Sequence, residues 1–267
     1  MEGYEKEEKL SGGNVSNVFR KGNKVFREMK PDSDKVHQLL QHLEKKRFPF
    51  APKFLGIDEH GREVLSYIEG VAGNYPLPSY MWSEDALHKI AVILRQYHEA
   101  VSDFPFDETW ETIDLTPAPY EVICHNDFAI YNLIFHNQSP VGIIDFDLAG
   151  PGPRLWDIAY ALYTCVPLSR LYHSEDGQAI YYDSERDGSV VRKRVKLFMQ
   201  SYGRNLGSDV MDMVVLRLEA LCRTMERKAL EGDSAFQKMI EEGHKEHYLE
   251  DIEFVQKHRS EWMDIEA

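Results

Sequence analysis

The sequence predicts an α+β fold with two lobes, a small β-rich N-terminal lobe and a larger, mainly helical C-terminal lobe. Two observations predict it. Short alternating runs separated by Gly/Asn turns fill the first part of the chain, whereas long amphipathic stretches fill the part from residue 155 onward. A segment with two glycines and two prolines lies between them, at 70–80. We therefore predict one lobe over residues 1–70 and the other over 71–267.

The N-terminal lobe is predicted in the order β-β-α-β-β. Runs at 15–20 and 24–27 flank a Lys-Gly-Asn turn, which is typical of a hairpin. A helix is predicted over 33–47, and a second hairpin over 54–57 and 63–68. The helix assignment rests on apolar residues that recur at helical spacing, namely Val36, Leu39, Leu40 and Leu43.

The C-terminal lobe is predicted to begin with a helix from Ser83, a plausible N-cap, to about residue 101. Two short apolar strands follow, at 121–124 and 141–144. The rest of the chain is predicted to be helical, over about 155–165, 188–202, 209–231 and 234–257.

Composition excludes several function classes. The 267 residues are 43% apolar, enough for a full hydrophobic core, which argues against disorder. A formal net charge of -14 argues against a nucleic-acid binder or adhesion to an anionic membrane. It permits a cationic small-molecule or peptide partner, although the charge can also serve solubility alone. Three widely spaced cysteines, a charged N-terminus and no long apolar run predict a soluble, cytoplasmic protein.

The candidate chemistry lies on two strand ends. Asp127 and Asn132 follow the strand at 121–124, and Asp145 follows the strand at 141–144. Buried carboxylates need a cation, a proton or a partner to offset them. If the two strands pair, these three side chains form an oxygen-rich cluster, which suits Mg²⁺ and not zinc.

The spacing of these residues has a mechanical meaning. In phosphoryl transfer, one carboxylate orients the attacking hydroxyl and accepts its proton, while an Asn and an Asp hold Mg²⁺ on the phosphates. The pattern H-x-D-x-x-x-x-N, from His125 to Asn132, places the base and the amide ligand at opposite ends of one loop. Asp145 then supplies the second contact to the metal.

Longer blocks around these residues carry a family resemblance. The segments VICHNDFAIYNLIF and GIIDFDLAGPGPRLWDIAYALY resemble the aminoglycoside phosphotransferase and choline kinase-like superfamily, which has a protein-kinase-like fold. The segments GGNVSNVFRKGNKVFRE and REVLSYIEG look like the trifolitoxin immunity protein-like subgroup. The resemblance spans about residues 10–240, and its paired motifs are far more specific than a lone H-x-D.

The resemblance implies roles in the C-terminal lobe. Asp127 would be the catalytic base, and His125 would brace the loop. Asn132 and Asp145 would bind Mg²⁺, with Asp147 as either a further ligand or a turn former. Asp157 is also implied, as a support that hydrogen-bonds the loop.

It implies further roles in the N-terminal, nucleotide-binding lobe. The backbone of Ser66, Tyr67 and Ile68 would be the hinge that meets the base of ATP or GTP. Gly12 and Gly13 would lie in the turn over the phosphates.

Two departures stand out in that lobe. Arg27 occupies the position of the family's lysine, with Lys30 a poorer candidate, and the two side chains bind phosphate differently. His37 stands where the lysine's glutamate partner is expected, and Glu44 lies about two turns later. We therefore predict that the usual ion pair is absent.

The leading hypothesis is an Mg²⁺-dependent enzyme that moves the γ-phosphoryl group of ATP or GTP to a small hydroxylated acceptor, cationic or neutral. The altered positions 27 and 37 motivate an alternative, a non-catalytic immunity protein that sequesters a toxin or peptide. A D-x-D phosphatase is a third interpretation, from Asp145-Phe146-Asp147, but Leu148-Ala149-Gly150 follows where that class has Gly-Thr.

Overall fold

The structure is a computed structural model, and it describes residues 6–10, 18–203, 207 and 209–263. A five-stranded antiparallel sheet, with strands in the order β1-β2-β3-β5-β4, forms most of the N-terminal lobe. Helix α1 packs against this sheet, where the ring of His37 stacks on Phe54 with 3.8 Å between centroids. The elements are β1 (Glu8–Lys9), β2 (Val18–Lys21), β3 (Lys24–Glu28), α1 (Ser33–Lys45), β4 (Phe54–Ile57) and β5 (Arg62–Ser66).

The C-terminal lobe begins with a strand that belongs to a second sheet. Its elements are β6 (Val71–Ala72), α2 (Glu84–Ala100), β7 (Val122–Cys124), β8 (Leu133–His136), β9 (Ser139–Ile143), β10 (Gly150–Gly152), α3 (Arg154–Cys165), β11 (Leu171–His173), β12 (Ala179–Tyr181), α4 (Ser184–Tyr202), α5 (Val210–Leu230), α6 (Ser234–Glu241) and α7 (His244–Trp262). The strands form three small antiparallel sheets, β6-β8-β9, β7-β10 and β11-β12. Around them, α2 packs on α4, and α5 packs on α3 and α7.

The predicted α+β, two-lobed architecture is confirmed. The first sheet ends at Ser66 and the second begins at Val71, so the chain passes between the lobes over four residues. Ser83 is the N-cap of α2, since its hydroxyl accepts from the amide of Ala86 at 3.1 Å. One apolar core runs through both lobes, from Val36 in α1 to Trp262 in α7.

Three features of the fold differ from what the sequence predicts or leaves open. The single helix expected over 234–257 is two helices, because Gly243 has φ of +80°, a left-handed conformation that breaks the helix and that glycine adopts at little cost. The hairpin β11-β12 was not predicted at all. The strands β7 and β9 do not pair with each other, since β7 pairs with β10 and β9 with β8.

None of the helices in the described part of the chain combines the length and the apolar character that a membrane crossing needs.

Candidate active site

The loop 125–132 connects β7 to β8 and carries the proposed base. Its second residue, Asn126, has φ of +64°, a left-handed conformation that asparagine tolerates better than most residues. The side-chain amide of Asn126 donates to the carbonyl of Leu148 at 2.8 Å, which ties the loop to the segment after β9. The loop is therefore fixed at the residue before Asp127.

His125 braces this loop from inside. Its Nε2 donates to the carbonyl of Ile144 at 3.1 Å, while its Nδ1 accepts from the backbone amide of Asp127 at 3.2 Å. These two partners require the neutral tautomer with the proton on Nε2. Burial lowers the pKa of His125, although nearby carboxylates oppose that shift, so the ring stays neutral. The contact with Ile144 also brings the ends of β7 and β9 together without strand pairing.

Asp157, on α3, supports the loop from below. Its carboxylate accepts from the backbone amides of His125 at 2.7 Å and Asn126 at 2.8 Å. It also accepts from Nε2 of His98, on α2, at 3.1 Å, and the other ring nitrogen of His98 accepts from Tyr202 at 2.8 Å. Burial alone would raise the pKa of Asp157, but the bonds from His98 and His125 hold it below its ordinary value. The loop thus rests on a buried carboxylate that stays ionised.

The Asp127 carboxylate is half-buried and held by two neighbours in its own loop. Oδ2 accepts from the side-chain amide of Asn132 at 2.7 Å, and Oδ1 accepts from the hydroxyl of Tyr131 at 2.6 Å. Because Tyr131 gives its proton to Asp127, the hydroxyl of Tyr160, 2.9 Å away, donates to Tyr131. The Asn132 amide oxygen is then the atom left for a cation.

Asp145 follows β9 in a left-handed conformation, with φ of +67°, and 49% of its side-chain surface is exposed. Desolvation by the surrounding protein, then the negative charges of Asp147 and Asp127, raise the pKa of Asp145 to about 7. This crowding of carboxylates favours a bound cation. Within the described ranges no three His, Cys, Asp or Glu side chains form a metal cluster by themselves. Asn132 and Asp145 make a smaller donor set, which fits an Mg²⁺ ion that takes its remaining ligands from phosphates and water.

Asp147 lies instead in an ion-pair cluster with Arg27, Lys30 and Glu63, which we call the arginine cluster. Arg27 binds the Asp147 carboxylate with two nitrogens, at 2.6 and 3.1 Å, and Lys30 approaches it at 2.6 Å. Burial would raise the pKa of Asp147, but Arg27 and Lys30 hold it below its ordinary value. Arg27, the predicted phosphate ligand, and Lys30, the poorer candidate for that position, therefore converge on one carboxylate beside Asp145.

Within the described residues Arg27 does not pair with a glutamate of α1, as predicted, yet it has a glutamate partner that lies on a strand. Nε of Arg27 donates to Glu63, which lies directly opposite it where β3 pairs with β5. The other oxygen of Glu63 contacts Nε2 of His37 at 2.8 Å, and the Glu63 side chain is fully buried. The carboxylate partner is thus supplied by a strand, and His37 on α1 contacts that carboxylate. Glu44 lies elsewhere, in an exposed pair with Lys53.

The three predicted hinge residues differ in their backbone contacts. The backbone amide of Ser66 donates to the backbone carbonyl of Lys53 at 2.9 Å, and the backbone amide of Tyr67 donates to the backbone carbonyl of Asn23 at 2.8 Å. Ile68 follows the first sheet and packs closely against Gly142 of β9. A Cβ added to Gly142 would lie 2.7 Å from the Ile68 side chain. Gly12 and Gly13 lie outside the described residues.

Sequence reasoning missed several residues of this site. Glu63 had only a weak signal, a carboxylate directly before the apolar pair Val64-Leu65 in a predicted strand. Tyr131 stands inside the H-x-D-x-x-x-x-N pattern, but nothing in the sequence shows that its hydroxyl reaches Asp127. His98 shares the apolar face of α2, where a histidine reads as an ordinary core residue.

The chain matches known proteins in sequence. Residues 82–188 match the model of the phosphotransferase enzyme family. The chain is 34% identical over 203 residues to the trifolitoxin immunity protein of Rhizobium leguminosarum bv. trifolii, covering 73% of each chain.

Solved structures share the fold at low identity. The choline kinase of Cryptosporidium parvum Iowa II has a TM-score of 0.61 at 13% identity, covering 99% of this chain and 91% of that one. An aminoglycoside phosphotransferase of Streptomyces rimosus, in complex with ADP and streptomycin, has a TM-score of 0.56 at 19% identity, covering 82% and 94%.

Proposed function

The chain belongs to the phosphotransferase enzyme family, in the group of the trifolitoxin immunity protein, and we propose that it phosphorylates a hydroxyl of a small molecule. The donor is ATP or GTP, used with Mg²⁺ in the cytoplasm. The observation that carries the proposal is the position of Asp127, held by Asn132 at 2.7 Å on a braced loop beside Asp145. A carboxylate fixed next to a candidate cation site is what phosphoryl transfer needs.

In the proposed reaction, Asp127 orients the acceptor hydroxyl and takes its proton. The acceptor oxygen forms a bond to the γ-phosphorus, and the bond from that phosphorus to the β–γ bridging oxygen breaks. The nucleoside diphosphate leaves with the electron pair of that bond. Mg²⁺, when bound by Asn132 and Asp145, neutralises charge on the phosphates. Arg27 and Lys30 are the cations of this chain that contact the phosphates, and Ile68 is the hinge residue that meets the base.

The charge distribution supports a cationic or neutral acceptor. From residue 121 onward, the chain carries 25 acidic and 16 basic side chains. This acidic lobe also carries the proposed base, and a negative field attracts cations and repels anions. Streptomycin and choline are useful first acceptors because structurally similar proteins are named for such substrates.

Phosphate release from γ-labelled ATP and GTP tests the proposal without a known acceptor, since water can take the place of the hydroxyl. We expect slow Mg²⁺-dependent release by the wild type, faster ADP or GDP formation with a true acceptor, and loss of both in Asp127→Asn. Asp176→Asn, in the exposed β11-β12 turn, is the matched control and should behave as the wild type. Equal release by Asp127→Asn and the wild type would contradict the role of Asp127.

A second candidate is a binding protein that protects against a toxin without turnover. The name of the 34% identical relative favours it. The argument from the altered positions 27 and 37 is weaker, because Arg27 has a carboxylate partner in Glu63. Protection of cells by an Asp127→Asn variant, at wild-type level, would favour binding over phosphoryl transfer.

A further inference from the structure

Arg217, on α5, is a buried cation beside the 125–132 loop. Only 1% of the residue is exposed. Its Nη2 donates to the backbone carbonyl of Asn126, while Nε and Nη1 are buried without a hydrogen-bond partner. Among the residues that the structure describes, no carboxylate forms an ion pair with it. Its guanidinium group lies over two aromatic rings. The guanidinium carbon is 4.5 Å from the ring centroid of Tyr160 and 5.3 Å from that of Trp156.

Such a placement is unfavourable for folding. Moving a guanidinium out of water carries a large desolvation penalty, and here no carboxylate offsets it. The two aromatic faces and one carbonyl compensate only in part. A hydrophobic side chain of similar length would fill the same volume without that penalty. Arg217 therefore calls for an explanation other than stability.

Two chains of contacts lead from Arg217 to the proposed base. The first passes through the carbonyl of Asn126, the left-handed residue directly before Asp127. The second passes through Tyr160, whose hydroxyl donates to Tyr131, which in turn donates to Asp127. One side chain thus fixes both the backbone and the carboxylate of the base.

We propose that Arg217 is a positioning residue that fixes the orientation of Asp127 for phosphoryl transfer. This inference rests on the proposed function. Misplacing a catalytic group by a fraction of its contact distance lowers the rate strongly, whereas nucleotide binding does not depend on that orientation. Arg217 therefore acts on turnover and not on nucleotide affinity.

The test is Arg217→Met, measured for phosphate release, for affinity of the Mg²⁺-bound nucleotide and for thermal unfolding. We expect release to fall about 10-fold or more, as for other misplaced catalytic groups. We also expect unchanged nucleotide affinity and an unchanged or higher melting temperature. Arg217→Lys keeps a charge that can reach the Asn126 carbonyl but loses the planar guanidinium that stacks on the rings. Its rate of phosphate release should lie between those of the wild type and Arg217→Met.

Arg194→Met is the matched control. Arg194, on α4, likewise donates to the backbone, here to the carbonyls of Trp82 at 2.6 Å and Cys165 at 2.9 Å. Its guanidinium carbon lies 6.0 Å from the ring centroid of Trp82. It has no contact with the 125–132 loop among the hydrogen bonds of the described residues. We expect the opposite result, a lower melting temperature with unchanged phosphate release per folded molecule.

Two results would overturn the inference. One is phosphate release by Arg217→Met at the wild-type rate. The other is a fall in release together with a fall in melting temperature like that of Arg194→Met, because Arg217 would then only stabilise the fold. If Arg217→Met does not fold, Arg217→Lys gives the decision by the same two measurements. Failure of the proposed function itself is distinguishable, since Asp127→Asn would then release phosphate normally.

Discussion

The 125–132 loop and the arginine cluster both lie beside Asp145, yet they are held by different interactions. The loop is fixed by backbone amides that donate to Asp157 and by a neutral His125, in the interior of the C-terminal lobe. The cluster is fixed by charge, with Arg27 shared between Glu63 of its own sheet and Asp147 of the other lobe. Interior hydrogen bonds keep one geometry, whereas Arg27 and Lys30 can leave Asp147 for another anion. We infer that the loop is preorganised and that the cluster rearranges when phosphates bind.

The largest expected effect comes from Asp157→Asn, which breaks the support of the loop. An asparagine offers one acceptor oxygen to three donors, the backbone amides of His125 and Asn126 and Nε2 of His98. Its own NH₂ group would point at one of these N–H donors, so that donor would be left unpaired. We expect a loss of about 3 kcal/mol in the free energy of unfolding, from lost charge-assisted bonds and an unpaired buried donor. Chemical denaturation measures it. A variant as stable as the wild type would show that the loop is not held from below.

The contrast between loop and cluster also explains what the sequence could predict. The loop is contiguous, so the spacing of His125, Asp127 and Asn132 identifies the candidate base and amide ligand in one pattern. The partner of Arg27 depends on which residue lies opposite it across β3 and β5, and no local pattern encodes that register. Similarly, the two lobes followed from periodicity, whereas the break between α6 and α7 required the conformation of one glycine.

A smaller effect is expected from Glu63→Gln, which removes the fixed anion of the arginine cluster. Glutamine keeps one acceptor oxygen for the two donors Arg27 and His37 and carries no charge, so the guanidinium would turn toward Asp147. We expect affinity for the Mg²⁺-bound nucleotide to fall about 10-fold, equivalent to about 1.4 kcal/mol. Calorimetry measures it. Glu44→Gln, in an exposed pair on α1, is the control and should leave the affinity unchanged; equal behaviour of the two variants would refute the role of Glu63.

The smallest expected effect is a pH dependence of stability that originates in the loop support. Burial lowers the pKa of His98 in the folded protein, although the bond to Asp157 opposes the shift. The unfolded chain therefore binds protons that the folded chain does not, so the free energy of unfolding falls as pH drops below about 6.5. His98→Gln should flatten the slope of unfolding free energy between about pH 7 and 5, the range in which histidine titrates. An unchanged slope would mean that His98 is not the titrating group.

The most direct test of the separate roles of Asp145 and the arginine cluster is the affinity for nucleotide, measured with and without Mg²⁺. The two variants to compare are Asp145→Asn and Glu63→Gln. We propose that the cation lies in the C-terminal lobe, at Asn132 and Asp145, and that the phosphates contact the arginine cluster. We therefore expect Asp145→Asn to abolish the gain in affinity that Mg²⁺ gives the wild type but to keep the Mg²⁺-free affinity. Glu63→Gln should weaken binding in both conditions and keep the gain. A full Mg²⁺ gain in Asp145→Asn would contradict the account.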